Sequence, residues 1–127
     1  MFDMVFRDDF YFIDAKERTD AGFCYTLHFN ADHTIYQAHF PGEPITPGVC
    51  ILQVGLDLLA DAVECELEVV NVKNVKFLSV LRPDMGAVSV EVQKIEINDG
   101  LVKAQVSFHT PETPIAKMSL QCRMLVK

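Results

Sequence analysis

The most informative segment of this chain runs from residue 36 to residue 49 and reads Tyr36-Gln-Ala-His-Phe-Pro-Gly-Glu-Pro-Ile-Thr-Pro-Gly-Val49. Its three prolines fix φ and remove amide donors, so the segment is predicted to form a stiff, irregular loop. A helix follows, for which Thr46 is a suitable N-cap and Pro47 suits the first helical position. We expect this helix to end at about Glu64 and to be largely buried, because its apolar residues occupy more than one stripe.

Segments rich in β-branched and aromatic residues, several of them alternating with polar residues, lie on both sides of this loop and helix. The predicted strands are residues 10–14, 22–30, 67–79, 87–97, 101–109 and 115–126, with turns at 30–33 and 111–114, a break at 82–86 and a hairpin turn at Asn98-Asp-Gly100. This order of elements predicts an α+β fold in which an antiparallel sheet packs on one central helix.

Length and composition limit what the chain can be. Its 127 residues suit one domain spanning 1–127, and a hydrophobic fraction of 50% is too high for a disordered protein. The formal net charge of −7 argues against nucleic acid as a partner, since a nucleic-acid binder needs a basic surface. The same charge argues against binding to an anionic membrane surface.

The expected location is the cytoplasm. The N-terminus lacks the basic residues and the apolar run of a signal peptide, and the most apolar stretch, 49–63, is too short and too charged to span a membrane. The four cysteines are expected to be free thiols in a reducing compartment, because none is spaced as a metal ligand. We therefore expect no metal and no cofactor.

Two groups in the loop are suited to acid–base chemistry. His39 is the loop side chain that titrates near neutral pH, and Gly48 lies at the helix start, where its N–H has no intrahelical acceptor. That N–H carries the positive end of the helix dipole and can stabilise a developing oxyanion. The combination suits removal of a proton next to a carbonyl group, although His39 by itself is also compatible with an ordinary loop histidine.

The pattern His39-Phe-Pro-Gly-x-Pro-x-x-Pro-Gly-Val49, followed by a helix, resembles the signature of bacterial 3-hydroxyacyl-[acyl-carrier-protein] dehydratases. The resemblance extends to Tyr36-Gln37 before the histidine, to Phe12-Ile-Asp14 as the first strand, and to the stretch from Lys76-Phe77 through Pro83. It also includes the last two hairpin strands. It implies the hotdog fold, in which a curved antiparallel sheet wraps around one central helix.

The resemblance also implies a function. The chain would dehydrate 3-hydroxyacyl thioesters to trans-2-enoyl thioesters in the synthesis of fatty acids or related carrier-bound chains, on an acyl carrier protein or coenzyme A. His39 would be the catalytic base and the Gly48 N–H would polarise the thioester carbonyl. The site would lie at the interface of a homodimer, alone or within a trimer of dimers. The predicted substrate contacts are Phe40, Pro47, Val49 and Val54.

One position departs from that family's pattern. The family has a carboxylate on the helix fourteen residues after the histidine, where this chain has Gln53, and usually has Gln four residues later, where this chain has Asp57. Residues four apart share a helix face, so Asp57 can reach the same cleft. The hypothesis is that His39 and Asp57 form the acid–base pair, with Gln53 orienting the hydroxyl and Gly55 leaving room for an acyl chain or water. The alternative for Asp57 is a solvated helix stripe of Gln53, Asp57, Asp61 and Glu64. Asp61 and Glu64 are themselves expected to be solvated acids at the helix end.

Two rival functions use the same fold. The replacement of the carboxylate by Gln53 favours a weakly active or non-catalytic subunit that binds acyl carrier and pairs with an active paralogue. An acyl thioesterase ranks third, because thioesterases of this fold generally lack the His-Phe-Pro loop. The scattered basic residues Lys73, Lys76, Arg82, Lys103 and Arg123 are candidate contacts for an acidic carrier protein.

Overall fold

The computed structural model describes residues 6–125. The order of elements is β1 (Tyr11–Thr19), β2 (Gly22–Phe29), α1 (Thr34–Ala38), α2 (Gly48–Val63), β3 (Leu67–Phe77), β4 (Val88–Asn98), β5 (Leu101–His109) and β6 (Pro114–Met124). All six predicted strands are present. The end predicted for the last strand, Val126, lies outside the described residues.

The six strands form one antiparallel sheet in the order β1-β2-β4-β5-β6-β3, and the long helix α2 lies against its inner face. This arrangement confirms the predicted hotdog fold. The strand ends differ mainly at β1, which continues to Thr19 because residues 15–19 pair with residues 22–26 of β2. The short helix α1 was not predicted; the His33 side chain caps it by accepting a hydrogen bond from the Ile35 N–H.

The core lies between α2 and the alternate strand residues that face it. Its strand members include Val88, Val90 and Val92 on β4, all fully buried. The helix approaches the sheet closely at Gly55, where an added Cβ would lie 3.0 Å from the Met118 sulfur. The expectation that Gly55 leaves room for an acyl chain or water is therefore wrong, because Met118, Val106 and Phe108 occupy that space.

Candidate active site

His39 lies on an exposed loop whose backbone is tied down on both sides. Its N–H donates to the Ile35 carbonyl at the end of α1 (2.9 Å), and its carbonyl accepts from the Ile45 N–H (2.9 Å). A reciprocal pair of backbone hydrogen bonds between Phe40 and Glu43 closes the turn between them. The imidazole makes an edge contact with the Phe40 ring and no side-chain hydrogen bond within residues 6–125. The loop therefore presents an accessible imidazole from a fixed backbone.

The start of α2 differs by one residue from the prediction. Pro47, not Thr46, occupies the N-cap position, and its carbonyl accepts from the N–H groups of Cys50 and Ile51 (3.0 and 3.2 Å). Thr46 is buried, and its hydroxyl instead shares a 2.7 Å hydrogen bond with the Tyr36 hydroxyl. A buried tyrosine hydroxyl needs a polar partner, and the Thr46 hydroxyl serves as that partner instead of capping α2. Burial raises the pKa of Tyr36 to about 12.

Gly48 begins the helix at the edge of an apolar cleft of about 500 Å³. The Phe77 ring packs directly on it, since an added Cβ would lie 2.8 Å from the tip of that ring. The Gly48 N–H is one of the amides at the helix start without an intrahelical acceptor. The remainder of the cleft is lined by Ile45, Thr46, Ile51, Leu78, Ser79, Val80 and Leu81. This N–H therefore stands beside a space that suits an apolar chain.

Gln53 and Asp57 are brought together one turn apart on α2. The Gln53 amide nitrogen donates to one oxygen of the Asp57 carboxylate (2.8 Å), and the Tyr11 hydroxyl donates to the other (3.2 Å). Asp57 is 0% exposed, whereas Gln53 is half-buried. The interpretation of Asp57 as part of a solvated stripe is therefore wrong. Burial, with the Asp57 charge next in importance, raises the pKa of Tyr11, so its hydroxyl remains a hydrogen-bond donor.

The described chain does not join His39 to this pair, because its exposed imidazole makes no hydrogen bond to Gln53 or Asp57. Among the predicted substrate contacts, Phe40 and Val49 are exposed (54% and 72%) and Pro47 is half-buried. Val54 is fully enclosed in the hydrophobic core. Its contact with substrate, like the catalytic roles of the other residues, stays a prediction.

A second tyrosine–carboxylate pair lies one helical turn beyond Asp57. Asp61 accepts from the Tyr25 hydroxyl (2.7 Å) and forms ion pairs with Arg7 (3.0 Å) and Lys16 (2.9 Å). Burial alone would raise the pKa of the Asp61 carboxyl, but the hydrogen bonds from Tyr25, Lys16 and Arg7 outweigh it and lower that pKa. Asp61 is therefore not the solvated acid that was expected. Glu64 is exposed, as predicted.

One side of the chain exposes a continuous apolar surface, which we call the α2–β3 face. Val49 on the helix and Val69 and Val72 on edge strand β3 are 72%, 45% and 36% exposed. A groove beside Gln53 is lined by Val49, Leu52, Gln53, Leu56, Val69, Val72 and Leu120. An exposed apolar patch at an unpaired strand edge is typical of a protein–protein interface.

The outer face of the sheet carries two grooves lined mainly by polar side chains, among them several lysines and Glu96. Grooves there are lined by lysines from four strands, which we call the lysine face: Lys73, Lys76, Lys94, Lys103 and Lys117. None of these lysines has an ion pair within the described part of the chain. By contrast, Arg82 and Arg123 pair with Asp84 and Glu68. Thus Lys73, Lys76 and Lys103 share one face, and the two arginines are already paired.

The comparison with known families agrees with this architecture. A family model described as ApeI-like, ApeI dehydratase, matches residues 15–117. The chain belongs to the ApeI-like dehydratase family. It is also 31% identical to the 3-hydroxyacyl-[acyl-carrier-protein] dehydratase FabZ of Levilactobacillus brevis, in a match covering 76% of this chain and 72% of that protein. The family resemblance inferred from the His39 loop is therefore confirmed.

Solved structures show the same fold. The dehydratase heterocomplex ApeI:P from Xenorhabdus doucetiae superposes with a TM-score of 0.70 at 13% identity, covering 87% of this chain and 96% of that chain. A hypothetical thioesterase with coenzyme A from Streptococcus pneumoniae superposes with a TM-score of 0.64 at 7% identity, covering 92% and 87%. Identities this low show the fold alone.

Two further searches concern metals and membranes. No group of three or more His, Cys, Asp or Glu side chains placed to hold a metal occurs within residues 6–125. No helix in that range is long and apolar enough to cross a membrane.

Sequence reasoning missed Tyr11 and Phe77 as parts of the site. Tyr11 is 46 residues from Asp57, and Phe77 reaches Gly48 from the far end of β3. The available signal was weak: Tyr11 begins a strand that has to bury one face, and a buried tyrosine hydroxyl needs a partner. Nothing in the sequence says that this partner is Asp57.

The Asp61 pair predicts a pH-dependent contribution to stability. Because its folded-state pKa lies below the unfolded value of about 3.9, this contribution is complete above that value and is lost as pH falls through the folded pKa. We expect Asp61→Asn to lower the free energy of unfolding by about 1–2 kcal/mol at pH 7, with a smaller difference from wild type below about pH 4. Urea unfolding at the two pH values measures both differences in the free energy of unfolding. Glu64→Gln is the matched control. An equal loss at all pH values would contradict the prediction.

Proposed function

We propose that the chain dehydrates 3-hydroxyacyl thioesters to trans-2-enoyl thioesters in fatty-acid or related carrier-bound chain synthesis. Support comes from membership of a dehydratase family and from the relative named as a 3-hydroxyacyl-[acyl-carrier-protein] dehydratase. The single observation that carries the proposal is the loop that presents His39 just ahead of a helix N-terminus, beside an apolar cleft. This arrangement suits enolate chemistry on an acyl thioester.

In the proposed reaction, the His39 imidazole removes a proton from the carbon next to the thioester carbonyl. The electron pair moves onto the carbonyl oxygen, which the Gly48 N–H stabilises at the positive end of α2. When the pair returns, the double bond forms and the β-hydroxyl leaves on the side of Gln53 and Asp57 as water, with the proton that His39 removed balancing the charge of the departing hydroxide. The Phe77 ring and the apolar cleft offer the acyl chain an apolar surface.

The first test of this proposal is product formation. We expect the purified chain to form the enoyl thioester from 3-hydroxyacyl carrier substrates, followed by enoyl absorbance. We expect His39→Ala to lower kcat by about 10²–10⁴, because a positioned base contributes that much. Asp20→Asn, an exposed change in the turn between β1 and β2, is the control and should keep wild-type kcat. Wild-type turnover in His39→Ala would contradict the role of His39.

The weakly active or non-catalytic subunit remains the second candidate. It is favoured by the amide of Gln53 in place of a carboxyl, since an amide cannot transfer a proton as an acid does. Binding of acyl carrier without enoyl product would support it. A gain of turnover in Gln53→Glu would show that the rest of the site is intact. Release of free thiol from acyl-coenzyme A would instead support the thioesterase.

We further propose that the chain forms a homodimer through the α2–β3 face. The described chain leaves His39 without an acid–base partner, and a second chain seated on this face would cover the groove beside Gln53. The same contact would remove the exposed valines and the unpaired edge of β3 from water.

The dimer proposal predicts a change of mass on one substitution. We expect the wild-type chain to sediment as a dimer or a multiple of dimers, and Val72→Asp to sediment as a monomer, because a charge would be buried in the interface. Ile97→Asp is the matched control: it is also an exposed apolar residue (56%), but it lies near the β4–β5 hairpin. A wild-type monomer would contradict the homodimer and favour pairing with another chain.

We propose the lysine face as the docking surface for an acidic carrier protein. Five lysines that have no ion pair within residues 6–125 form a local basic patch, interrupted by Glu96, on a chain whose net charge is −7. The patch reaches the site at Lys76, whose neighbour Phe77 packs on Gly48. Such complementarity acts mainly on encounter and is weakened by salt.

A charge reversal on this face should separate carrier-bound from small substrates. We expect Lys117→Glu to raise the KM for a carrier-bound substrate several-fold and to leave the KM for the same acyl group on pantetheine unchanged. The difference should shrink as salt is added. Arg18→Glu makes the same charge change on β1 and serves as the control. An equal effect of both variants, or an effect on the pantetheine substrate, would contradict the docking surface.

A further inference from the structure

The burial of Asp57 limits how it can act. Its side chain is enclosed between α2 and β1, with the Tyr11 hydroxyl on one oxygen and the Gln53 amide on the other. A substrate that stays outside the helix–sheet interface cannot touch a group with no exposed surface. Any effect of Asp57 on the reaction has to pass through a neighbour that reaches the surface.

Among the described residues, Gln53 is such a neighbour, and its amide nitrogen faces Asp57. In the structure the Gln53 side chain turns its amide nitrogen toward the Asp57 carboxyl group (2.8 Å). Its carbonyl oxygen, Oε1, then points away. Within residues 6–125 no donor reaches Oε1, yet no fully buried side-chain oxygen there lacks a partner. Oε1 is therefore accessible, and Gln53 lines the apolar groove beside α2.

We propose that Asp57 is a positioning residue that holds the Gln53 amide, and that Gln53 is the group that contacts the substrate hydroxyl. This inference rests on the proposed function. Oε1 accepts a hydrogen bond from the hydroxyl or from a water beside it, and the second N–H of the same amide can donate to the hydroxyl oxygen. Tyr11 supports the pair from behind by donating to Asp57.

The proton balance closes without an acid on α2. The departing hydroxyl takes a proton from a water held by Gln53, and the hydroxide that this leaves is neutralised by the proton that His39 removed from the α-carbon. The sum is loss of one water from the acyl chain. In this scheme the positions of the carboxylate and the amide on the helix are exchanged relative to the family pattern. The carboxylate acts on the substrate only through the Gln53 amide.

Asp61 is a second carboxylate on α2 that accepts from a tyrosine, and its other partners differ from those of Asp57. It too accepts from a tyrosine hydroxyl, but its other partners are the cations Arg7 and Lys16, and no amide links it to the groove. A purely structural carboxylate is therefore available in the same protein as a matched control for Asp57.

The test uses binding, so that it does not depend on turnover. The probes are a 3-hydroxyoctanoyl pantetheine analogue with CH₂ in place of the thioester sulfur, and its octanoyl counterpart without the hydroxyl. Calorimetry with the full chain should show about tenfold preference for the hydroxylated probe, the value of one good hydrogen bond. We expect Gln53→Ala and Asp57→Leu each to remove this preference, and the double variant to lose no more than Gln53→Ala alone.

Other outcomes would overturn the inference. If Asp57 contacts the hydroxyl itself, Gln53→Ala will keep part of the preference, and adding Asp57→Leu will remove it. A wild-type chain without preference, or Asp57→Leu with the full preference, would also refute it. Should Asp57→Leu fail to fold, Asp57→Asn replaces it and should lower the preference at least threefold, because an asparagine can present either its oxygen or its nitrogen to Gln53.

Asp61→Asn distinguishes positioning from general loss of stability. It should lower the unfolding temperature and keep the tenfold preference. A loss of preference in Asp61→Asn equal to that in Asp57→Leu would assign both carboxylates a structural role. If the wild-type chain binds with the expected preference but forms no enoyl product, the proposed catalytic function fails and the positioning role of Asp57 stands.

Discussion

A carboxyl group enclosed in the middle of α2 is the constraint on which the rest of the site depends. Burying an ionised group away from water is unfavourable unless hydrogen bonds replace its hydration. At Asp57 the replacements come from Tyr11 on β1 and from Gln53 one turn earlier on the same helix. The carboxylate therefore joins the first strand to the helix and at the same time sets the direction of the Gln53 amide.

The same helix serves as core and as site wall. Its inner side packs so closely on the sheet that a Cβ on Gly55 would lie 3.0 Å from the Met118 sulfur, while its start presents Gly48 beside the apolar cleft. Its outer side, at Val49, is left to solvent together with edge strand β3. Because α2 packs against the sheet in this way, few residues remain to cover the exposed edge of β3. A second chain is the simplest way to cover that edge.

Charge is divided between the faces of the molecule. The acidic residues outnumber the basic ones, yet several lysines that have no ion pair in the described part of the chain lie on the outer sheet face, while Arg7 and Lys16 pair with Asp61. Strand register produces this division, since Lys76 lies opposite Lys117 and Lys103 lies opposite Gln121. The net charge of −7 is therefore a property of the whole chain. It does not describe the local electrostatic potential that a partner would meet at the lysine face.

Local chemistry made the main elements and two of the candidate site residues readable from the sequence alone. The prolines of residues 41–47, the apolar run after them and Asn98-Asp-Gly100 predicted the loop, the helix and a hairpin, because each acts over a few residues. The spacing of His39 and Gly48 around the loop was visible for the same reason. So was the departure at position 53.

The hydrogen-bond partners of the residues on and before α2 depend on the tertiary structure. Thr46 bonds to Tyr36 instead of capping α2, Asp57 is buried against a tyrosine 46 residues away, and Asp61 is held by Tyr25 and two cations. Helical spacing places Gln53, Asp57 and Asp61 near one another on α2, but it does not say whether water or the sheet covers them. Burial and long-range hydrogen bonding depend on how the sheet wraps the helix, and that information is absent from any short stretch of the chain.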